Sequence, residues 1–251
     1  MVGAPALVGW LWAGGLAGDP WVGIAVAAGS WLLALSAFAW NDRADVVLGL
    51  AGFHRRGAVR DLDGEPSART WLAGIGWGAA ALGLACWAQA GVVPLVAAVV
   101  VATSALLYSS PAVFGKGRPL LAGVLHLVGG AANGFAGATA VGDLSLALVW
   151  GVAWGVLFSG AHRVHLVAGR DEDRAADVPT AASCTSFGAA ARVAQGLLFA
   201  AILVPLVAGL FVPGARGAAL SLAASWMLLW TVPAAVPAAR DRRTWATFQR
   251  R

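Results

Sequence analysis

The sequence predicts an all-α integral membrane protein, one domain over residues 1–251 folded as a bundle of eight or nine transmembrane helices. Three observations carry that expectation. Of the 251 residues, 59% are hydrophobic and only 12% charged, about half the charged share of a soluble domain, and mean hydropathy is +0.76. Apolar runs of roughly 17–22 residues recur along the chain, each long enough to cross about 30 Å of hydrocarbon at about 1.5 Å per residue. Thirteen Trp stand against one Tyr, as expected where many indole rings settle at headgroup depth.

In chain order the apolar runs cover 2–18, 21–40, 71–90, 92–108, 120–141, 144–160, 193–212 and 218–236. The first starts without a basic leader, so no cleavable signal peptide is expected; the last is crossed by Pro233 and followed by Pro237. With the N-terminus inside, sixteen of the seventeen Lys and Arg fall in inside segments and only Arg216 falls outside. The positive-inside rule therefore predicts a multi-pass protein of the cell membrane with both termini and the long loops cytoplasmic. A net charge of +5 raises nucleic acid as a partner, but the basic residues are scattered over short loops, which suits anionic lipid and excludes a nucleic-acid patch. Cys86 and Cys184 are too few and too distant for a disulfide framework.

The outside connections are nearly absent: Asp19-Pro20, Gly91 and Gly142-Asp143. The inside connections 41–70 and 161–192 are each about 30 residues, longer than a plain connector needs. They occupy equivalent places if the chain is two pseudo-repeats of four helices, a pattern that puts a site between the halves.

Both long connections are rich in Asp and Arg. The first opens Asn41-Asp42-Arg43-Ala44-Asp45, and a helix continuing past Trp40 would set Asn41, Asp42 and Asp45 on one face. Oxygen donors in that arrangement suit Mg²⁺, which completes its shell with water and substrate phosphate. The second holds Arg170-Asp171-Glu172-Asp173-Arg174-Ala175-Ala176-Asp177; in a helix, Asp173 and Asp177 would share a face with Arg170. Between them lies Tyr108-Ser109-Ser110-Pro111, with Lys116 and Arg118 following, cations suited to phosphate oxygens. Two acidic clusters at one mouth of a bundle would hold Mg²⁺ about a polyphosphate. Taken singly, carboxylates in such loops are most often solvated loop ends, and Asp61, Asp63 and Glu65 read as solvated loop residues rather than ligands.

The order of these features resembles the UbiA-type intramembrane prenyltransferases. That family carries N-D-x-x-D-x-x-x-D after its second helix, D-x-x-x-D after its sixth, and a Tyr-Ser-Pro-type turn with a downstream Lys after its fourth. Here Asn41, Asp42 and Asp45 match the first motif. Glu172-Asp173-Arg174-Ala175-Ala176-Asp177-Val178-Pro179-Thr180 is similar to G-D-R-A-A-G-V-x-T, and Tyr108 with Lys116 matches the turn. Three positions depart: the third Asp of the first motif falls on Gly49, the first Asp of the second on Gly169, and a motif Gly on Asp177. The family usually has nine spans.

The resemblance implies Mg²⁺-dependent transfer of a prenyl group from an allylic diphosphate to an aromatic or other lipophilic acceptor. It implies Asn41, Asp42, Asp45, Asp173 and Asp177 as metal ligands. Lys116, Arg56, Arg118 and Arg174 would sit on the diphosphate, and Tyr108 at the diphosphate or the allylic cation. A membrane terpene cyclase using the same ionisation and a non-catalytic isoprenoid-binding or transport-related protein are the alternatives. His126 and Asn133, seven apart on one helix face, read as contacts to the acceptor or as interhelical glue beside Gly129, Gly130, Gly134 and Gly137. His162 and His165 are expected to pack at the membrane interface.

Overall fold

The protein is described here by a computed structural model covering residues 4–49, 66–113, 115–141, 144–175 and 177–212. Among the described residues every regular element is helical, and six helices are long and apolar enough to cross a membrane.

Helix α1 (Ala4–Trp12) has nine residues, about 14 Å at 1.5 Å per residue. The expected span over 2–18 is thus a half-length helix. Gly14 explains the stop: it takes φ 94°, a left-handed conformation that favours glycine, and the chain closes into a 3-10 turn at Gly15–Ala17.

Helix α2 (Pro20–Val47) starts where the Asp19 side chain accepts the Trp21 N–H at 2.9 Å, with Pro20 in the first turn. It runs 28 residues, seven beyond the expected apolar run, because nothing in Asn41-Asp42-Arg43-Ala44-Asp45 breaks a helix. Gly49, φ 69°, turns the chain away. Helix α3 (Pro66–Gln89) lies along α2 through small residues. A side-chain carbon at Gly83 would sit 3.2 Å from the Gly29 carbonyl, the close backbone approach that membrane helices use to gain dispersion contacts.

Helices α4 (Val92–Ser109) and α5 (Pro119–Thr139) follow. Helix α6 (Leu144–Ala175) is 32 residues long, so much of the connection expected over 161–192 is helix. The reason is local: between Gly160 and Ala175 the residues are mostly good helix formers, and the first proline is Pro179. Helix α7 (Phe187–Ala208) begins under a Ser186 cap on the Ala189 N–H at 3.2 Å. The apolar run over 218–236 lies outside the described residues.

Glycines set the α5–α6 seam. A Cβ at Gly130 would lie 3.1 Å from the Gly155 Cα, and one at Gly155 only 2.6 Å from the Leu127 carbonyl. A Cβ at Gly137 would overlap the Ala6 carbonyl, so α1 rests directly on the α5 backbone. Outward-facing Trp21, Trp31, Trp71, Trp77 and Leu82 are exposed, the surface a lipid-facing bundle presents. Helices α2, α4, α5 and α6 leave a cavity between them.

Candidate functional site

The cavity is about 240 Å³. Leu33, Phe38, Val101, Leu125 and Phe158 make it mostly apolar, while Asn41, Tyr108, His126, Asn133, His162 and His165 supply polar groups. Ser30 also lines it, with its hydroxyl donating to the Val26 carbonyl of its own helix at 2.6 Å.

At the polar end of the cavity sits Asp45, 1% exposed. One turn above Asn41 on α2, it accepts a charge-assisted hydrogen bond from Lys116 Nζ. A buried carboxylate persists as an ion only with a partner of opposite charge, and the turn after α4 delivers it. That turn folds back so tightly that a Cβ at Gly115 would lie 2.8 Å from the Leu107 carbonyl and 2.9 Å from the Tyr108 Cα. Glycine at 115 is therefore what carries Lys116 in the 3-10 turn Gly115–Gly117 over α2.

Asp173 arrives from the last turns of α6. Its Oδ2 accepts the Thr180 hydroxyl at 2.9 Å, and its carbonyl accepts the Val178 N–H at 2.8 Å. Thr180 is itself fixed: its N–H donates to Ser183 Oγ at 2.8 Å, and its Oγ1 accepts the Ser183 N–H at 3.2 Å. Arg170 ties this loop to α6 by donating to the carbonyls of Ala182 at 3.0 Å and Thr185 at 2.9 Å. Asn41 on α2, Tyr108 on α4 and His165 on α6 line the same cavity, and Asp45 and Asp173, 128 positions apart in sequence, lie further along α2 and α6 from them.

The remaining expected site residues are placed unevenly. Asn41 lines the cavity and Asp42 is half-buried beside it on α2. Arg118 is exposed at the N-cap of α5. Arg174, expected on the diphosphate, is exposed and its Nε donates to the Ser183 carbonyl at 3.0 Å. Asp177 corrects the reading of a shared helical face with Asp173: α6 ends at Ala175 and Asp177 follows it, exposed, at φ 53°. Its N–H bonds the Arg174 carbonyl at 3.2 Å while the Val178 N–H reaches Asp173, the paired bonds of a left-handed helix stop. That conformation explains why a glycine belongs at this place in the family motif. Arg56 lies outside the described residues.

The histidines overturn one expectation. His162 and His165 do not simply pack at the interface; both line the cavity. The His162 ring stacks on His126 with centroids 3.5 Å apart and planes 10° apart, and Tyr108 meets both rings edge-on at 4.6 and 5.6 Å. Thr180 and Ser183, which hold Asp173, carried no signal beyond the V-P-T string.

The donor set at the polar end fits a hard divalent cation. Asn41, Asp42, Asp45 and Asp173 offer oxygens, and the Lys116 ammonium already satisfies one buried carboxylate with positive charge. Among the described residues no three His, Cys, Asp or Glu side chains gather as a ready-made metal cage. Such a cation would draw its other ligands from water and phosphate, as Mg²⁺ does. The histidine pair does not suit a transition metal: the in-plane lone pairs of parallel rings do not converge.

Among solved structures, an apo UbiA homologue from Aeropyrum pernix K1 superposes with a TM-score of 0.76 at 20% identity, covering 99% of this chain and 91% of that one. A UbiA homologue from Archaeoglobus fulgidus bound to GPP and Mg²⁺ gives 0.69 at 15% identity, with the same coverage. The same homologue bound to DMAPP and Mg²⁺ gives 0.70 at 15% identity, again covering 99% and 91%. No curated protein matches the sequence. The UbiA prenyltransferase family model matches residues 2–250; with the shared fold and matching motifs, this chain belongs to the UbiA prenyltransferase family.

Proposed function

We propose that the protein transfers a prenyl group from an allylic diphosphate to a lipophilic acceptor, with Mg²⁺ as cofactor. The observation that carries this reading is the buried Asp45–Lys116 pair set with Asn41 at the mouth of an apolar cavity. In this reading Asn41, Asp42, Asp45 and Asp173 hold the metal, and Lys116 turns from Asp45 to the diphosphate oxygens. Bound Mg²⁺ supplies charge neutralisation to the departing diphosphate. Lys116 adds a second positive charge at the same oxygens. Leu33, Phe38, Val101 and Phe158 shield the allylic cation from water, with the Tyr108 ring set at its polar end.

Polar groups inside the cavity, His126 and Asn133 above all, support an acceptor there. The homologue bound to GPP and Mg²⁺ supports a prenyl diphosphate as donor. The distribution of Arg and Lys supports a cell-membrane protein with the site on the cytoplasmic side.

The test is diphosphate release from a panel of allylic diphosphates by purified protein with Mg²⁺ and membrane extract as a source of acceptor. Asp45→Ala and Asp173→Ala are each expected to lower release by about a hundredfold, the scale of losing one electrostatic stabiliser. Release at wild-type rates in both variants, or none from the wild type with any chain length, overturns the proposal.

A further inference from the structure

A second cavity, about 250 Å³, shares no lining residue with the first. Leu120 of α5, Arg163 and Val167 of α6 and Val193 of α7 form its walls, closed by the connection around Thr185. At about 100° per residue, Arg163 and Val167 lie on a different face of α6 from Phe158, His162 and His165, which line the central cavity.

The depth of this groove follows from the sequence. Leu120 and Val193 open the apolar runs 120–141 and 193–212, and Arg163 comes three residues after the run 144–160 ends. Three spans therefore leave the hydrocarbon around the groove, where lipid headgroups lie. Leu120 and Val193 are exposed, so its apolar rim faces the bilayer.

Among the described residues lining it, Arg163 alone is charged. Its guanidinium reaches across the seam to α5, where a Cβ at Gly123 would lie 3.1 Å from Nη2. Glycine at 123 is what leaves room for it. Arg163 is half-buried, and its Nε is buried with no hydrogen-bond partner among the described residues. Buried donors without a partner are few in folded proteins, and charged groups at membrane depth normally pair. The far wall does not supply that partner. Arg170 already takes the Ala182 and Thr185 carbonyls, and the Thr185 hydroxyl donates to the Ala181 carbonyl at 2.8 Å.

We propose that this groove seats an anionic phospholipid of the surrounding bilayer, with its phosphate on the Arg163 guanidinium and a chain along Leu120 and Val193. A guanidinium fork matches phosphate oxygens, and basic pockets between spans at the interface suit anionic headgroups. The apolar walls select an amphiphile over a free anion. A bound lipid ties α5, α6 and α7 together from outside the central cavity.

The experiment titrates the purified, detergent-solubilised protein with phosphatidylglycerol or phosphatidylcholine of identical chains and reads bound lipid by native mass spectrometry. The wild type is expected to hold phosphatidylglycerol about tenfold more tightly, the scale of one charge-assisted contact. That preference is expected to vanish in Arg163→Gln. In Arg69→Gln, which removes an exposed charge on α3, it is expected to change by less than about twofold. Ala189→Leu narrows the groove and keeps every charge; it is expected to weaken phosphatidylglycerol as Arg163→Gln does. Inorganic phosphate alone is expected to leave the bound lipid in place.

Equal wild-type binding of the two lipids, or Arg163→Gln as selective as wild type, overturns the assignment. An equal loss in Arg69→Gln makes the preference one of surface charge and overturns it too. Displacement by inorganic phosphate makes the groove a free-anion site and overturns the lipid as occupant. Should Arg163→Gln fail to fold, the wild-type comparison and Ala189→Leu decide.

Discussion

Asp45 shows what one carboxylate demands at the edge of a bilayer. Desolvating it costs several kcal/mol, and the chain meets that cost with the single Lys of the sequence held over it by Gly115. Removing either partner alone strands the other charge. Lys116→Met is therefore expected to destabilise the protein by about 3 kcal/mol, and Lys116→Met with Asp45→Asn to recover most of that loss. Heat denaturation in detergent measures both; a double variant no more stable than Lys116→Met shows that the pair contributes no coupling. The two missing motif carboxylates differ in kind. Gly49 sits at φ 69°, where a side chain is strained, whereas a Cβ at Gly169 meets nothing within 4 Å.

At the scale of the element, the end of α6 organises half the site. The helix carries Asp173 beyond the apolar run, and the stop at Asp177 turns the chain so that Thr180 returns to the Asp173 carboxylate. A β-carbon in the left-handed region costs on the order of 1 kcal/mol. Asp177→Gly is expected to raise stability by about that amount and to leave diphosphate release intact, since Asp177 is exposed past the helix. Stability from thermal melts and release rates separate two roles: a stabilised variant that no longer releases diphosphate would restore Asp177 as a metal ligand.

For the whole molecule, four helices converge so that charge gathers at one end of the cavity and aromatic surface below it. The proposed cytoplasmic placement of that end makes a testable statement about Cys184, which is exposed on the α6–α7 connection. A membrane-impermeant maleimide is expected to label Cys184 in inside-out vesicles and to spare it in right-side-out ones; the reverse pattern inverts the proposed orientation. Cys86, half-buried near the far end of α3, serves as the internal comparison once Cys184 is replaced by Ser.

The sequence by itself determined that the chain is a helical membrane protein of the UbiA type, because apolar runs of membrane length and three spaced polar strings are local properties of the chain. It also carried Asn41 and Asp45 together on α2, since four residues make about one turn. It did not reveal that α1 stops short, that α6 runs on to Ala175, or that Asp177 lies past the helix. Those outcomes turn on single conformations at Gly14 and Asp177 and on polar residues forming helix where composition alone reads as loop. Only the tertiary structure brought Lys116 to Asp45 and His162 face to face with His126. Side chains on different helices meet according to each helix's rotation and depth, and one residue of shift turns a helix by about 100°. That register is set by the glycine seam between α5 and α6 and by the packing of the whole bundle.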